Sequence, residues 1–412
     1  MYKALFVMLL VMVASFVVLA QSAAAPATQP AAGDYALLPY WPVGFKLPRE
    51  TVESWKEAKP EQQLKSPEAD VLVWTPPEAK RIRAVLMFPN NTDLVRIGEY
   101  KAIREVATRQ EIGIVYLQQL GGKVLERSDP PTVADQTMAT ILDLCATKTG
   151  IAEFRHAPWI TLGKSSRGRF PFRTTWWFPD RVIASLNHHG ETPNWPMEKW
   201  SKAGKEESVM HLSVQGLSEW DGTWYRAVRP SLLNYNTQTN WLCHQMVIYG
   251  VDHGYYPDYY LYPNFGKPME KSHRLIRCTD VWDYEAKFID KAMELRVPKD
   301  SYPTDKPTTL LNVKRESGYL IHPRAPEELL GSKWFALRQD AQGAYKQIPW
   351  PDEVTPVFDT VQGTINLADL IKPASAVPAE QRGGYMWVAD KELALAWLKL
   401  HSLYYQPDRV LK

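Results

Sequence analysis

The chain is poor in three things. Its 412 residues include three cysteines, Cys145, Cys243 and Cys278, too few for a disulfide framework and without the spacing of a metal site. Two readings of them stand: a Cys243–Cys278 bridge beside a buried Cys145, or three buried free thiols. An excess of one charge is also missing, since 48 Lys and Arg stand against 46 Asp and Glu. That balance excludes the strong field that draws a protein onto nucleic acid or an anionic membrane, and fits a neutral or weakly charged small partner. Beyond residue 20 no stretch is apolar enough to span a bilayer.

The long apolar run that is present lies at the start. Met1-Tyr2-Lys3 precedes Ala4 to Ala20, and Val18-Leu19-Ala20 offers small residues where a signal peptidase reads. Residues 1–20 therefore read as a signal peptide, with a retained single-pass anchor as the competing reading. A secreted or periplasmic protein, with no membrane contact after cleavage, is the expectation. Gln21 to Gly33 is an Ala/Pro/Gln-rich spacer, and 21–68 as a whole leads into a core at 69–300. Residues 301–412 change character, with Pro-rich segments and short strands before a final helix at Lys391 to His401, and read as an irregular C-terminal extension.

Within the core, Ala69 to Trp74 alternates and ends at Pro76-Pro77, as an edge strand would. Arg83 to Phe88 and Ile112 to Leu117 are continuous apolar runs suited to buried strands. Leu94 to Thr108 has helical spacing between them, and Val133 to Lys148 reads as an amphipathic helix stopped near Gly150. Trp159 to Leu162 is a short strand running directly into Gly163. Further strands are expected at Arg181 to Leu186, Val209 to Val214 and Met246 to Val251, and a helix at Trp282 to Leu295. Strands alternating with helices, joined by long crossovers, predict a mostly parallel, doubly wound α/β sheet.

The junction Gly163-Lys164-Ser165-Ser166-Arg167-Gly168 carries the chemistry. A strand, then Gly-x-Ser, then a helix holds a serine hydroxyl at the tip of a sharp turn, and the N–H of the next residue faces the same space. Gly-Lys-Ser also closes a phosphate-loop pattern, but that pattern needs glycine where Pro158 stands.

The stretch Ile141-Leu142-Asp143-Leu144 through Thr149-Gly150 and His156-Ala157-Pro158-Trp159-Ile160-Thr161-Leu162-Gly163-Lys164-Ser165 resembles the helix, strand and nucleophile turn of secreted α/β-hydrolases related to polyester depolymerases and carbohydrate esterases. The likeness covers roughly Asp70 to Leu295. It implies the α/β-hydrolase fold with a C-terminal extension, and a serine esterase in which Ser165 is the nucleophile. The family usually has a small residue two positions after the serine. Here Arg167 stands there, with glycine delayed to Gly168, so Ser166 is a secondary nucleophile candidate.

The resemblance implies the order nucleophile, acid, base. His253, in the Gly-flanked segment Val251-Asp252-His253-Gly254-Tyr255 beyond a late strand, is the candidate base. Gln215-Gly216-Leu217-Ser218-Glu219-Trp220-Asp221-Gly222 resembles the family's Gly-x-x-acid turn and offers Glu219, with Asp221 as the alternative. The N–H of Ser166 and those of Asn90 and Asn91, after an early strand, are the expected oxyanion donors. His188 and His189, Trp220 and Tyr255 are expected to line the substrate pocket, while His156, His211 and His244 read as packed or capping residues. No carboxylate or cysteine completes a metal site with the paired histidines, and the chemistry requires no metal or organic cofactor. The expected partner is a small-molecule or polymeric ester. A non-catalytic relative that binds a glycan or a partner protein is the competing reading, motivated by Arg167 and the aromatic-bearing extension.

Overall fold

The computed structural model describes residues 40–48, 70–118, 132–165, 167–190, 205–216, 241–248, 278–321, 335–339, 345–349, 371–382 and 385–405. Eight strands make one sheet: β1 (Val43–Phe45), β2 (Val71–Trp74), β3 (Ala84–Pro89), β4 (Ile112–Leu117), β5 (Trp159–Ser165), β6 (Val182–Gly190), β7 (Met210–Gly216) and β8 (Leu242–Ile248). Their order is β1-β2-β4-β3-β5-β6-β7-β8. β2 runs antiparallel to both of its neighbours, and every pairing from β4 to β8 is parallel.

The central strands are buried along their whole length, and in β3 and β4, with helices covering both faces, this shows as near-continuous apolar runs without alternation. On one face lie α3 (Thr132–Thr149) and α4 (Arg169–Trp177). Met138, Ile141, Leu142 and Cys145 of α3 recur at helical spacing and pack with Val85, Met87, Val115 and Leu117 of the sheet. α3 stops at Gly150, which takes φ +75°, a conformation open to glycine at little cost. On the other face lie α1 (Thr92–Glu99), α2 (Lys101–Arg109) and α5 (Cys278–Arg296). There His244 of β8 lies against Tyr284 and Phe288 of α5, with the Tyr284 hydroxyl 2.9 Å from His244 Nε2.

Two local expectations differ from the structure. The helix expected over Leu94 to Thr108 is broken at Tyr100, whose backbone is extended (φ −68°, ψ 134°). Its ring meets Trp282 edge-on at 5.3 Å and its hydroxyl donates to Asp283 at 2.7 Å, so contacts with α5 outweigh the lost helical turn. β2 is not an edge strand, because the three-residue β1 pairs outside it. So short a run carries no periodicity by which to find it.

All three cysteines are free and buried. Burial pushes the thiols of Cys145 and Cys243 well up, which keeps them protonated and inert.

In the C-terminal part, β9 (Tyr319–Ile321) is flanked by β12 (Ile371–Pro373) and β13 (Met386–Val388), β10 (Phe335–Gln339) pairs with β11 (Tyr345–Pro349), and α6 spans Lys391–Tyr405. The three-stranded sheet docks at the β8 end of the core. Arg315 is the pin: buried, it donates to the carbonyls of Trp241 (3.2 Å), Arg382 (3.0 Å) and Tyr385 (2.7 Å). Its own carbonyl accepts from the Trp387 indole at 2.9 Å. α6 adds a bond from the Trp397 indole to the Gln245 carbonyl, and Lys291 of α5 pairs with Asp390 at 3.1 Å. Among the described residues no helix is long and apolar enough to cross a membrane.

Candidate active site

β5 carries the chain to the C-terminal edge of the sheet and turns there sharply. Lys164 is buried within the strand, an unsuitable setting for a lysine that must reach phosphates, whereas Ser165 is half-exposed at its tip. Ser165 takes φ +55°, a left-handed conformation that an ordinary side chain adopts at a cost. Two backbone bonds close the turn: Arg167 N–H to the Lys164 carbonyl and Gly168 N–H to the Ser165 carbonyl, both 2.8 Å. α4 begins at the next residue.

The turn is crowded at two glycines. A Cβ on Gly163 would overlap the Arg167 carbonyl oxygen and stand 2.6 Å from Pro171 Cδ. A Cβ on Gly190, at the end of the neighbouring β6, would stand 2.6 Å from Gly168 Cα. The close approach that the usual small residue two places after the serine would allow is thus made one place later, at Gly168. Arg167 is half-buried, and its backbone carbonyl is what crowds Gly163.

A strained serine at the turn from the fifth strand into a helix, in a sheet of this order with an antiparallel second strand, decides the architecture. The fold is the α/β-hydrolase fold.

Neither a protein-family model nor a curated protein matches the sequence. Among solved structures, a dienelactone hydrolase-like promiscuous phosphotriesterase from metagenomic libraries is similar over 54% of this chain and 91% of its own, at 10% identity and a TM-score of 0.36. A predicted CIB-like hydrolase from Thermoplasma acidophilum is similar over 53% of this chain and 92% of its own, at 13% identity and a TM-score of 0.32. The poly(aspartic acid) hydrolase-1 of Sphingomonas sp. KT-1 is similar over 44% and 87%, at 10% identity and a TM-score of 0.32. The α/β-hydrolase assignment rests on the strand order and the turn.

Beside the turn, β6 is bulged. Lys164 pairs with His188 and Ser165 with Gly190, so His189 is the extra residue, and it takes φ +47°. Bulges next to a functional edge re-aim the chain, and this one sets two strained residues on adjacent strands. Gln215 of β7 secures the bulge, donating from Nε2 to the Gly190 carbonyl at 3.1 Å. His188 and His189, expected at the mouth of a pocket, are both buried. His188 Nδ1 lies 2.8 Å from Glu285 Oε1 of α5, with both side chains almost fully inaccessible. A histidine paired to a buried carboxylate ties the helix to the sheet's working end, and nothing in the sequence links two residues 97 positions apart.

On the opposite flank of Ser165 is the segment after β3. β3 pairs with β5 at Met87↔Thr161, and continuing that register brings the end of β3 level with the turn. Asn90 and Asn91 are half-exposed there. The Asn91 carbonyl accepts from Leu94 and Val95, which starts α1 immediately after the loop. The Tyr116 hydroxyl, at the end of β4, reaches Asn90 Oδ1 at 3.0 Å.

The structure therefore brings Ser165, the Asn90-Asn91 loop and the His189-Gly190 bulge to one edge. Ser166, Glu219, Trp220, Asp221, His253 and Tyr255 lie outside the described residues. His211 and His244 are buried in the sheet, as expected of packed residues. His211 lies against the rings of Phe172 and Trp241, and burial, with a smaller contribution from His244, lowers its pKa to about 3, so it is neutral near pH 7. Among the described residues no group of three or more His, Cys, Asp or Glu is placed to hold a metal ion.

Proposed function

We propose that this protein is an exported serine hydrolase that cleaves carboxylic esters, small or polymeric, by acyl transfer. The observation that carries the reading is the left-handed Ser165 at the β5–α4 turn, half-exposed between the Asn90-Asn91 loop and Gly190. Strain of this kind persists only where the surroundings enforce it, and it lifts a hydroxyl clear of its own strand. In this reading Ser165 Oγ attacks the ester carbonyl while His253 takes its proton, oriented by Glu219 or Asp221. The oxyanion is held by N–H groups of Ser166 and the Asn90-Asn91 loop. The imidazolium then protonates the departing alkoxide. Water, deprotonated by the same histidine, releases the acid and regenerates the serine. The apolar leader at residues 4–20 supports export.

The test is labelling of the purified protein with a fluorophosphonate probe. Loss of labelling in Ser165→Ala but not in Ser166→Ala establishes the nucleophile and licenses an ester screen. The half-buried Arg167 beside the serine favours a second reading, a non-catalytic relative that binds a glycan or a partner protein. Absence of labelling in the folded wild type would select it.

A further inference from the structure

Tyr116 sits where packing alone would be served by phenylalanine. It pairs in register with Phe88, and its ring is 5% exposed, 5.6 Å from the ring of Phe88 and 6.3 Å from that of Trp41. Those contacts fix the ring plane, and the hydroxyl adds nothing to them. What the hydroxyl does reach is the loop after β3: Asn90 Oδ1 at 3.0 Å and, at a longer 3.5 Å, the Asn91 carbonyl. That carbonyl already accepts the Leu94 and Val95 N–H groups at 3.1 and 3.3 Å. The loop is thus gripped at Asn91 by the start of α1 and at Asn90 by Tyr116.

We propose that Tyr116 is a positioning residue for the reaction at Ser165: its hydroxyl holds the Asn90-Asn91 loop so that the loop's N–H groups stand where oxyanion charge develops. This rests on the serine hydrolase reading above. An oxyanion donor acts through preorganisation, stabilising charge that exists only in the transition state. A loop freed to move by a fraction of an ångström loses that stabilisation while ground-state binding of a neutral ester is scarcely touched. The loss therefore falls on kcat and spares KM.

The experiment compares wild type, Tyr116→Phe, Asn90→Ala and the double variant in p-nitrophenyl acetate hydrolysis and in inhibition by phenylboronic acid, which forms a tetrahedral adduct on an active serine. Thermal unfolding reports that each variant is folded. Tyr116→Phe is expected to lower kcat by about 10- to 100-fold, below the full cost of deleting an oxyanion donor. KM should stay within about twofold, and the boronate inhibition constant should rise by about the same factor as kcat falls. The double variant should lose little more than the worse single one, because both changes remove one hydrogen bond. Wild-type kcat and boronate affinity in folded Tyr116→Phe overturn the proposal and leave the hydrolase reading standing. Should Tyr116→Phe not fold, Asn90→Ala decides, since it breaks the same bond from a half-exposed side chain: unchanged kcat and boronate affinity there overturn the proposal. A wild type that neither hydrolyses the ester, nor binds the boronate, nor takes up a fluorophosphonate overturns both.

Discussion

Gly168 and Gly190 meet backbone to backbone, so closely that a Cβ on Gly190 would stand 2.6 Å from Gly168 Cα. The tight approaches at the turn set Gly163 against the Arg167 carbonyl and Pro171, and Gly190 against Gly168 and the Asn187 side chain.

Gly163→Ala forces its methyl group into the Arg167 carbonyl and Pro171, both fixed by the turn and by α4. Overpacking at a site that cannot yield costs about 1–3 kcal/mol. The expected result is a lower denaturant midpoint together with slowed or absent fluorophosphonate labelling. Wild-type values in both would show that the turn is more compliant than its contacts imply.

Ser165→Gly should separate stability from activity. A non-glycine residue in the left-handed region carries about 1–2 kcal/mol of strain, and glycine returns about 0.5–1 kcal/mol of that through its freer unfolded chain. The variant should match or exceed the wild type in equilibrium unfolding, by up to about 1 kcal/mol, while losing all labelling. Ser165→Ala relieves no strain and serves as the control.

Glu285 and His188 should behave as one unit. Removing either partner leaves a buried polar group without its bond, which costs about 3–5 kcal/mol for a broken buried pair. Urea unfolding of Glu285→Ala, His188→Ala and the double variant should show the double costing clearly less than the sum. Additive losses would mean the 2.8 Å contact contributes no coupling.

His211 should make the protein acid-sensitive. Its folded pKa of about 3 lies below the ordinary histidine value of about 6.5, so the unfolded chain binds the proton more readily. The contribution of the neutral ring is complete above pH 6.5, falls through the window between the two values, and is exhausted below pH 3. Between pH 7 and pH 5 this amounts to about 2 kcal/mol. His211→Phe, which keeps a ring beside Phe172 and Trp241, should flatten the pH dependence of urea unfolding by one proton's worth. An unchanged slope would place the acid sensitivity elsewhere.

Legibility of the sequence tracked how far a residue's role depends on distant partners. β3 and β4, and α3 with its apolar spacing and terminal Gly150, are local patterns and were readable as such. β6 was expected to end at Leu186 because Asn187, His188 and His189 look like loop residues. They continue the strand because Glu285 lies against His188 and Gln215 against the Gly190 carbonyl. The sequence places β8 at Met246 to Val251, whereas the strand begins at Leu242, where His244, polar in the sequence, has its Nε2 against the Tyr284 hydroxyl. Ser165 was found from the glycine two places before it. The Tyr116–Asn90 bond had no signal beyond a hydroxyl at the end of an apolar strand.

The docking of the C-terminal sheet has a consequence in time. Arg315 cannot join Trp241 to Arg382 and Tyr385 until the last of these has been synthesised, about 140 residues after β8. Until then the Trp241 carbonyl lacks the guanidinium that the folded chain sets against it. Completion of this contact is thus tied to completion of the chain: the guanidinium that joins Trp241 to Arg382 and Tyr385 draws on segments that lie far apart along it.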